Sequence, residues 1–211
     1  MKDFADKIDD AANGVALAAA PTALEAIRDS ACAAVVYRRE VPRDALDDLA
    51  AIPAESLPQA RVVLPPDSVA STVVQLCEIA GTPKGPGRDW LETDIPQLAD
   101  LFAKIMDTKY LRLRLDPINT NACRKFHIDA ITARLVCTYR GQATQYGTAE
   151  IGSEPEKVFQ VSTGSPILLR GTRWPVTPAA DLLHRSPPIE GTGETRLVLV
   201  LDPADSPGHE M

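Results

Sequence analysis

The chain has 211 residues and a mass of 22.7 kDa, enough for one domain, or one domain with an extension, to bury a core without disulfides or a structural metal. Lys and Arg total 22 against 29 Asp and Glu, a net charge of −7, and aromatics are 5%. That argues against a duplex-binding footprint or a base-stacking platform. No segment approaches the roughly 18 apolar residues of a spanning helix, so no membrane partner is expected. The four cysteines, Cys32, Cys77, Cys123 and Cys137, are widely spaced and read as reduced thiols rather than a disulfide framework or zinc knuckle. An acidic start (Asp3, Asp6, Asp9, Asp10) precedes a short Ala-rich run over 15–20, unlike a secretory leader. The expectation is a cytoplasmic protein.

In chain order, residues 22–29 carry helical spacing (Leu24, Ile27) after Pro21, a favourable first-turn residue. Residues 33–37 form a short apolar run that reads as a strand. Pro42 opens an amphipathic helix through Leu46, Leu49 and Ala50. A second strand spans 61–64 and stops at Pro65 and Pro66. Asp67 or Ser68 can cap a helix running to about Ala80, and Gly81 with residues 82–87 makes a loop. A further helix fits 90–106 through Ile95, Leu98, Leu101, Phe102 and Ile105, with its true start expected near Pro96. Residues 1–106 thus read as an α/β extension.

After Asp107 the period changes. Leu111, Leu113 and Leu115 alternate with Arg112 and Arg114, the pattern of a half-buried strand. Residues 133–139, 157–161, 167–170, 182–184 and 196–201 are further short strands, separated by turn signals such as 162–165 and 190–193. Many short strands of this kind argue a sandwich, jelly roll or barrel over 107–203. Residues 204–211 read as a flexible tail. The expected class is α+β, with the helices of the extension packed against one sheet.

Three histidines occur, and His209 sits two residues from the C-terminus, where solvation is expected. His127 belongs to Phe126-His127-Ile128-Asp129. In extended chain, residues two apart share a face, so His127 and Asp129 can aim at one point while Phe126 and Ile128 turn away. His184 ends a later strand. Two imidazoles and one carboxylate on one side of a metal leave the opposite positions open, which suits Fe(II) oxygenases. Asp129 could instead cap a turn. Arg196 alternates with Val198 and Val200 at the start of the last strand. On a barrel interior it needs an anion, and its planar fork suits a carboxylate. The bland alternative is an ion pair with Glu194 or Asp202. Arg112 and Arg114 read as a solvated strand face, although either could replace Arg196 as the anion site. Tyr139 could reach a ligand carboxylate or pack in a barrel wall.

These residues carry a resemblance. The order HxD, a later His, then Arg on the final strand resembles the Fe(II)/2-oxoglutarate-dependent dioxygenases, which use a double-stranded β-helix (a jelly roll, cupin-like). The matching segments are C-R-K-F-H-I-D (123–129) running into L-V-C-T-Y-R-G (135–141), G-S-P-I-L-L-R-G (164–171), and L-H-R-S-P-P (183–188) with T-R-L-V-L (195–199). More closely, the chain resembles the bacterial family DUF1826, which has no established activity to carry over. The resemblance implies His127, Asp129 and His184 as iron ligands. It implies Arg196 as the binding site for the far carboxylate of the cosubstrate 2-oxoglutarate, with hydroxylation of an unknown substrate; Tyr139 is a further candidate for that carboxylate on its own chemistry. Cys123 departs from that pattern. As an extra thiolate ligand it would move the preference to zinc, giving the alternative of a non-catalytic zinc-binding or metal-binding module of the same fold.

Overall fold

The computed structural model describes residues 11–175 and 182–206. Ten strands form: β1 (Val15–Ala18), β2 (Ala34–Tyr37), β3 (Ala60–Leu64), β4 (Tyr110–Ile118), β5 (Ala133–Arg140), β6 (Gln145–Thr148), β7 (Phe159–Gln160), β8 (Pro166–Arg170), β9 (Leu182–Arg185) and β10 (Arg196–Ala204). The α-helices are α1 (Arg43–Ala51), α2 (Val69–Ala80) and α3 (Pro86–Met106), and residues Pro21–Arg28 form a 3-10 helix. Seven strands make one sheet in the order β1-β2-β8-β5-β10-β4-β3, and three make a second in the order β7-β6-β9. Within the described residues every pairing is antiparallel except β1 with β2. The strands of the first 64 residues therefore extend both edges of the sheet that β4, β5, β8 and β10 build.

Strand alternation divides the large sheet into two faces. Leu111, Leu113 and Leu115 of β4, Leu135, Cys137 and Tyr139 of β5, and Leu197, Leu199 and Leu201 of β10 pack with Leu91, Ile95, Leu98 and Phe102 of α3 in the main core. Each such side chain contributes roughly 1.5–3 kcal/mol by leaving water. The other face carries Val136, Ile167, Leu169 and Val198. These meet Tyr146 and Leu182 of the small sheet in a second, thinner core. A cavity opens beside that thinner layer.

One helix boundary and one helix type depart from expectation. α3 begins at Pro86, and Pro96 lies inside it. An interior proline costs about 3 kcal/mol, but Leu91 and Ile95 ahead of it and Leu98 after it are buried, so packing on both sides outweighs the lost backbone bond. Residues Pro21–Arg28 form a 3-10 rather than an α-helix. Two strands lack a sequence signal. β1 lies in the Ala-rich run, and β6 (Gln-Tyr-Gly-Thr) has no apolar alternation. The strand expected over 157–161 shortens to Phe159–Gln160. His209 and residues 207–211 of the expected tail lie outside the described residues, while Ala204 closes β10. No helix among the described residues is long and apolar enough to cross a membrane.

Candidate metal centre

His127, Asp129 and His184 form one cluster, with one ligand atom from each lying within 4.8 Å of the others. His127 sits on an extended segment that pairs with β9 at one position only. Its N–H donates to the carbonyl of His184 at 3.0 Å, and the His184 N–H donates back to His127 at 3.0 Å. A reciprocally bonded antiparallel pair places both side chains on the same face, and the two rings lie 4.5 Å apart. The His127 Nδ1 lies 2.8 Å from the carbonyl of Lys125. A proton on Nδ1 donates there and leaves Nε2 facing the cluster, the kind of support that orients a metal-binding imidazole.

Asp129 is held by its own loop and by the turn after β8. Thr172 N–H donates to the Asp129 carbonyl at 2.9 Å, Arg173 N–H to Ile131 at 3.0 Å, and Gly171 N–H to Thr132 at 2.9 Å. Gly171 permits this approach because a Cβ there would overlap the carbonyl oxygen of Ile131. The carboxylate receives Arg134 Nη1 on Oδ1 at 2.8 Å, and the same guanidinium grips Asp202 through Nε and Nη2, each at 2.7 Å. Oδ2 lies 3.1 Å from His184 Nε2, yet it is buried without a partner of hydrogen-bond geometry. Burial alone would raise the pKa of Asp129. Contacts from both histidines and the charge of Arg134 outweigh it and hold the carboxyl well below the usual range. The two histidines diverge. The bond to Asp129 pushes His127 up, while burial pushes His184 down. A carboxylate whose Oδ2 lies beside His184 Nε2 and whose Oδ1 lies 3.5 Å from His127 Nε2 makes, with the two imidazoles, a donor set that fits a divalent first-row metal and leaves positions open for other ligands.

The cluster borders a cavity of about 160 Å³ between the sheets. Arg196 lines its wall together with Val198, Val200, Val136 and Thr144. Arg196 is 1% exposed. Its guanidinium donates to the Gln142 carbonyl at 2.6 Å and to Thr138 Oγ1 at 3.4 Å, and Nη1 is buried with no partner. Neither ion pair weighed from the sequence forms. Glu194 instead accepts from Gln142, and Asp202 belongs to Arg134. Burial lowers the pKa of Arg196 to about 10. A buried cation without a counter-ion is costly, so the position is suited to receive an anion.

Two sequence expectations need correction. Tyr139 does not face the cavity. It sits on the helix side of β5, where its hydroxyl donates to Asp94 Oδ2 at 2.5 Å, and Trp90 packs edge-on 4.8 Å away. Alternation along β5 places Thr138 on the cavity side instead. Cys123 is exposed and lines the cavity mouth, but its thiol is not in the His–Asp–His cluster. Arg134 was not singled out from the sequence. Its position two residues before Val136, on the same strand face, was the available signal.

Fold and site together define a mixed α/β protein with a His–Asp–His candidate metal centre at the edge of a cationic cavity. The family model described as "Protein of unknown function (DUF1826)" matches residues 18–202, and the chain belongs to that family. No curated protein matches the sequence. Similar solved structures include a rice dioxygenase for auxin oxidation, at 12% identity and a TM-score of 0.49, covering 92% of this chain and 84% of that one. They also include a 2OG-Fe(II) oxygenase family oxidoreductase from Burkholderia pseudomallei, at 14% identity and a TM-score of 0.43, covering 89% and 91%. A third is a prolyl-4-hydroxylase from Pseudomonas putida, at 15% identity and a TM-score of 0.34, covering 81% and 98%. At these identities the three lend this chain no residue roles.

Proposed function

We propose that this protein is an Fe(II)/2-oxoglutarate-dependent oxygenase built on a double-stranded β-helix. The observation that carries the reading is the pairing of two features in one cavity. One is a two-imidazole, one-carboxylate cluster whose buried Asp129 Oδ2 has no partner of hydrogen-bond geometry. The other is a buried, unpaired guanidinium at Arg196.

His127, Asp129 and His184 would hold the iron. When bound, iron and 2-oxoglutarate supply the chemistry, activation of oxygen coupled to oxidative decarboxylation and hydroxylation of a C–H bond. The chain's own residues position and shield. The Lys125 carbonyl fixes the His127 ring. Arg134 fixes the Asp129 carboxylate through Oδ1 and leaves Oδ2 turned to His184. Arg196, steadied by Gln142 and Thr138, offers Nη1 to the far carboxylate of the cosubstrate, and Val136 and Val198 keep that end dry. The zinc-module alternative uses the same histidines and draws less support, because the Cys123 thiol that would favour zinc stands outside the cluster.

The test is an anaerobic titration of metal-free protein with Fe(II) and then 2-oxoglutarate, followed in the visible range. A charge-transfer band that needs both components is the expected result. Retained zinc and no band would reject the oxygenase reading.

A further inference from the structure

A second guanidinium in the same cavity has no role in that chemistry. Arg114 of β4 lines the cavity wall, its Nε is buried without a partner, and among the described residues it makes no hydrogen bond or ion pair. Its neighbours explain why nothing neutralises it. Across the ladder it faces Val200 on one side and Arg61 on the other. Arg61 points its charge to Asp116, Nη2 to Oδ2 at 3.1 Å. Arg134 is used by Asp129 and Asp202, and Arg185 by Gln145 and Glu154. Two unpaired guanidiniums remain in one cavity, Arg196 and Arg114. They stand four residues apart along the β10 register, about 13 Å of strand.

Asp116 supplies the complementary half. It stands two residues from Arg114 on the same strand face, is 8% exposed, and keeps Oδ1 buried and unpartnered. Arg114 and Asp116 do not pair with each other. An unmet cation beside an unmet acceptor calls for a ligand that carries both an anion and a hydrogen-bond donor. Resting on the oxygenase reading, a 2-oxoglutarate that chelates at one end and meets Arg196 at the other has no carboxylate left for Arg114.

We propose that the oxidised substrate is a small amino acid or 2-hydroxy acid, its carboxylate held by Arg114 and its ammonium or hydroxyl donating to Asp116. A planar fork meets a carboxylate with two parallel bonds, which fixes orientation as well as charge.

The test uses the full chain loaded with Mn(II) and N-oxalylglycine, a redox-inert mimic of 2-oxoglutarate, so that the Arg196 end is filled. Ligand-observed NMR and calorimetry then probe the protein amino acids, their 2-hydroxy acid counterparts, the matching amines lacking the carboxylate, and inorganic phosphate. Binding of at least one amino or hydroxy acid, but not of its amine, is expected. Arg114→Met should weaken it by about tenfold or more, Arg114→Lys should restore part of it, and Asp116→Asn should weaken it too, all with N-oxalylglycine affinity unchanged. Circular dichroism melts confirm that each variant is folded. No acid binding at millimolar concentration, equal binding in Arg114→Met, or binding of phosphate alone would overturn the proposal. The same panel run without metal or N-oxalylglycine separates the two readings. Arg114-dependent acid binding there, with no N-oxalylglycine binding to the metal-loaded protein, would reject the oxygenase reading and leave the acid subsite standing.

Discussion

His127 and His184 exchange both backbone hydrogen bonds of a single antiparallel pair, at 3.0 Å each way. This one bridge, outside any longer ladder, brings together side chains 57 positions apart in the chain. The rings are not equally enclosed, with side-chain exposures of 32% for His127 and 9% for His184.

That asymmetry separates two variants. His127→Ala removes a half-open ring but keeps the bridge, so the fold stays intact and Fe(II) affinity falls by about a hundredfold or more, beyond what loss of a supporting group costs. His184→Ala loses metal to the same extent and also leaves a cavity, costing about 2 kcal/mol of stability. Anaerobic Fe(II) titration with urea denaturation of each variant reads both. Unchanged Fe(II) affinity in His127→Ala would remove it from the ligand set.

Two arginines of the cavity, Arg134 and the more deeply buried Arg196, should answer truncation differently. Arg134→Met strands Asp129 and Asp202, and breaking such a partly buried network costs about 3 kcal/mol. Arg196→Met removes a cation that has no counter-ion, so stability of the metal-free protein stays within about 1 kcal/mol of the parent. Its 2-oxoglutarate affinity falls by roughly ten- to a hundredfold, the worth of a charge-assisted bond. Urea midpoints and the charge-transfer titration test the contrast. A large stability loss in Arg196→Met with normal cosubstrate affinity would make that residue structural.

Tyr139→Phe tests the assignment of β5 faces. The hydroxyl lost is the one bonded to Asp94, which also accepts Arg39 at 2.5 and 2.7 Å. A cost of about 1–2 kcal/mol is expected, with 2-oxoglutarate binding unaltered, measured by the same two assays.

Thiol chemistry provides an independent check. Burial raises the pKa of Cys32, lifts Cys77 to about 11 and Cys137 to about 12, so these three hold no thiolate at neutral pH and lie out of reach of reagent. Cys123 is exposed. Native protein should therefore titrate one fast thiol with Ellman's reagent, lost in Cys123→Ser, and three more only after unfolding. Adding metal should leave the fast thiol unprotected. Protection by zinc would bring Cys123 into the coordination sphere.

Much of this was legible in the residue order, because it depends on local period. Alternation at Leu111, Leu113 and Leu115 and at Arg196, Val198 and Val200 assigns strand faces without knowledge of partners. The HxD spacing aims His127 and Asp129 together. The same rule, applied to β5, separates Thr138 from Tyr139, but choosing which of those two faces inward needs the sheet's neighbours. The start of α3 is not legible in the sequence, because the cost of Pro96 is local, whereas the burial of Leu91 and Ile95 that offsets it is tertiary.

By itself, then, the sequence determined most of the strands, their alternating faces, and the short list of groups able to bind a metal or an anion, all properties of residues within a few positions of one another. Only the tertiary structure decided which of those groups meet and which stay unpaired. It paired His127 with His184, occupied Asp202 with Arg134, turned Cys123 outside the cluster, and left Arg196 and Arg114 without counter-ions. Those outcomes depend on strand register and on competition among charges distant in the chain, and neither is encoded in any single segment.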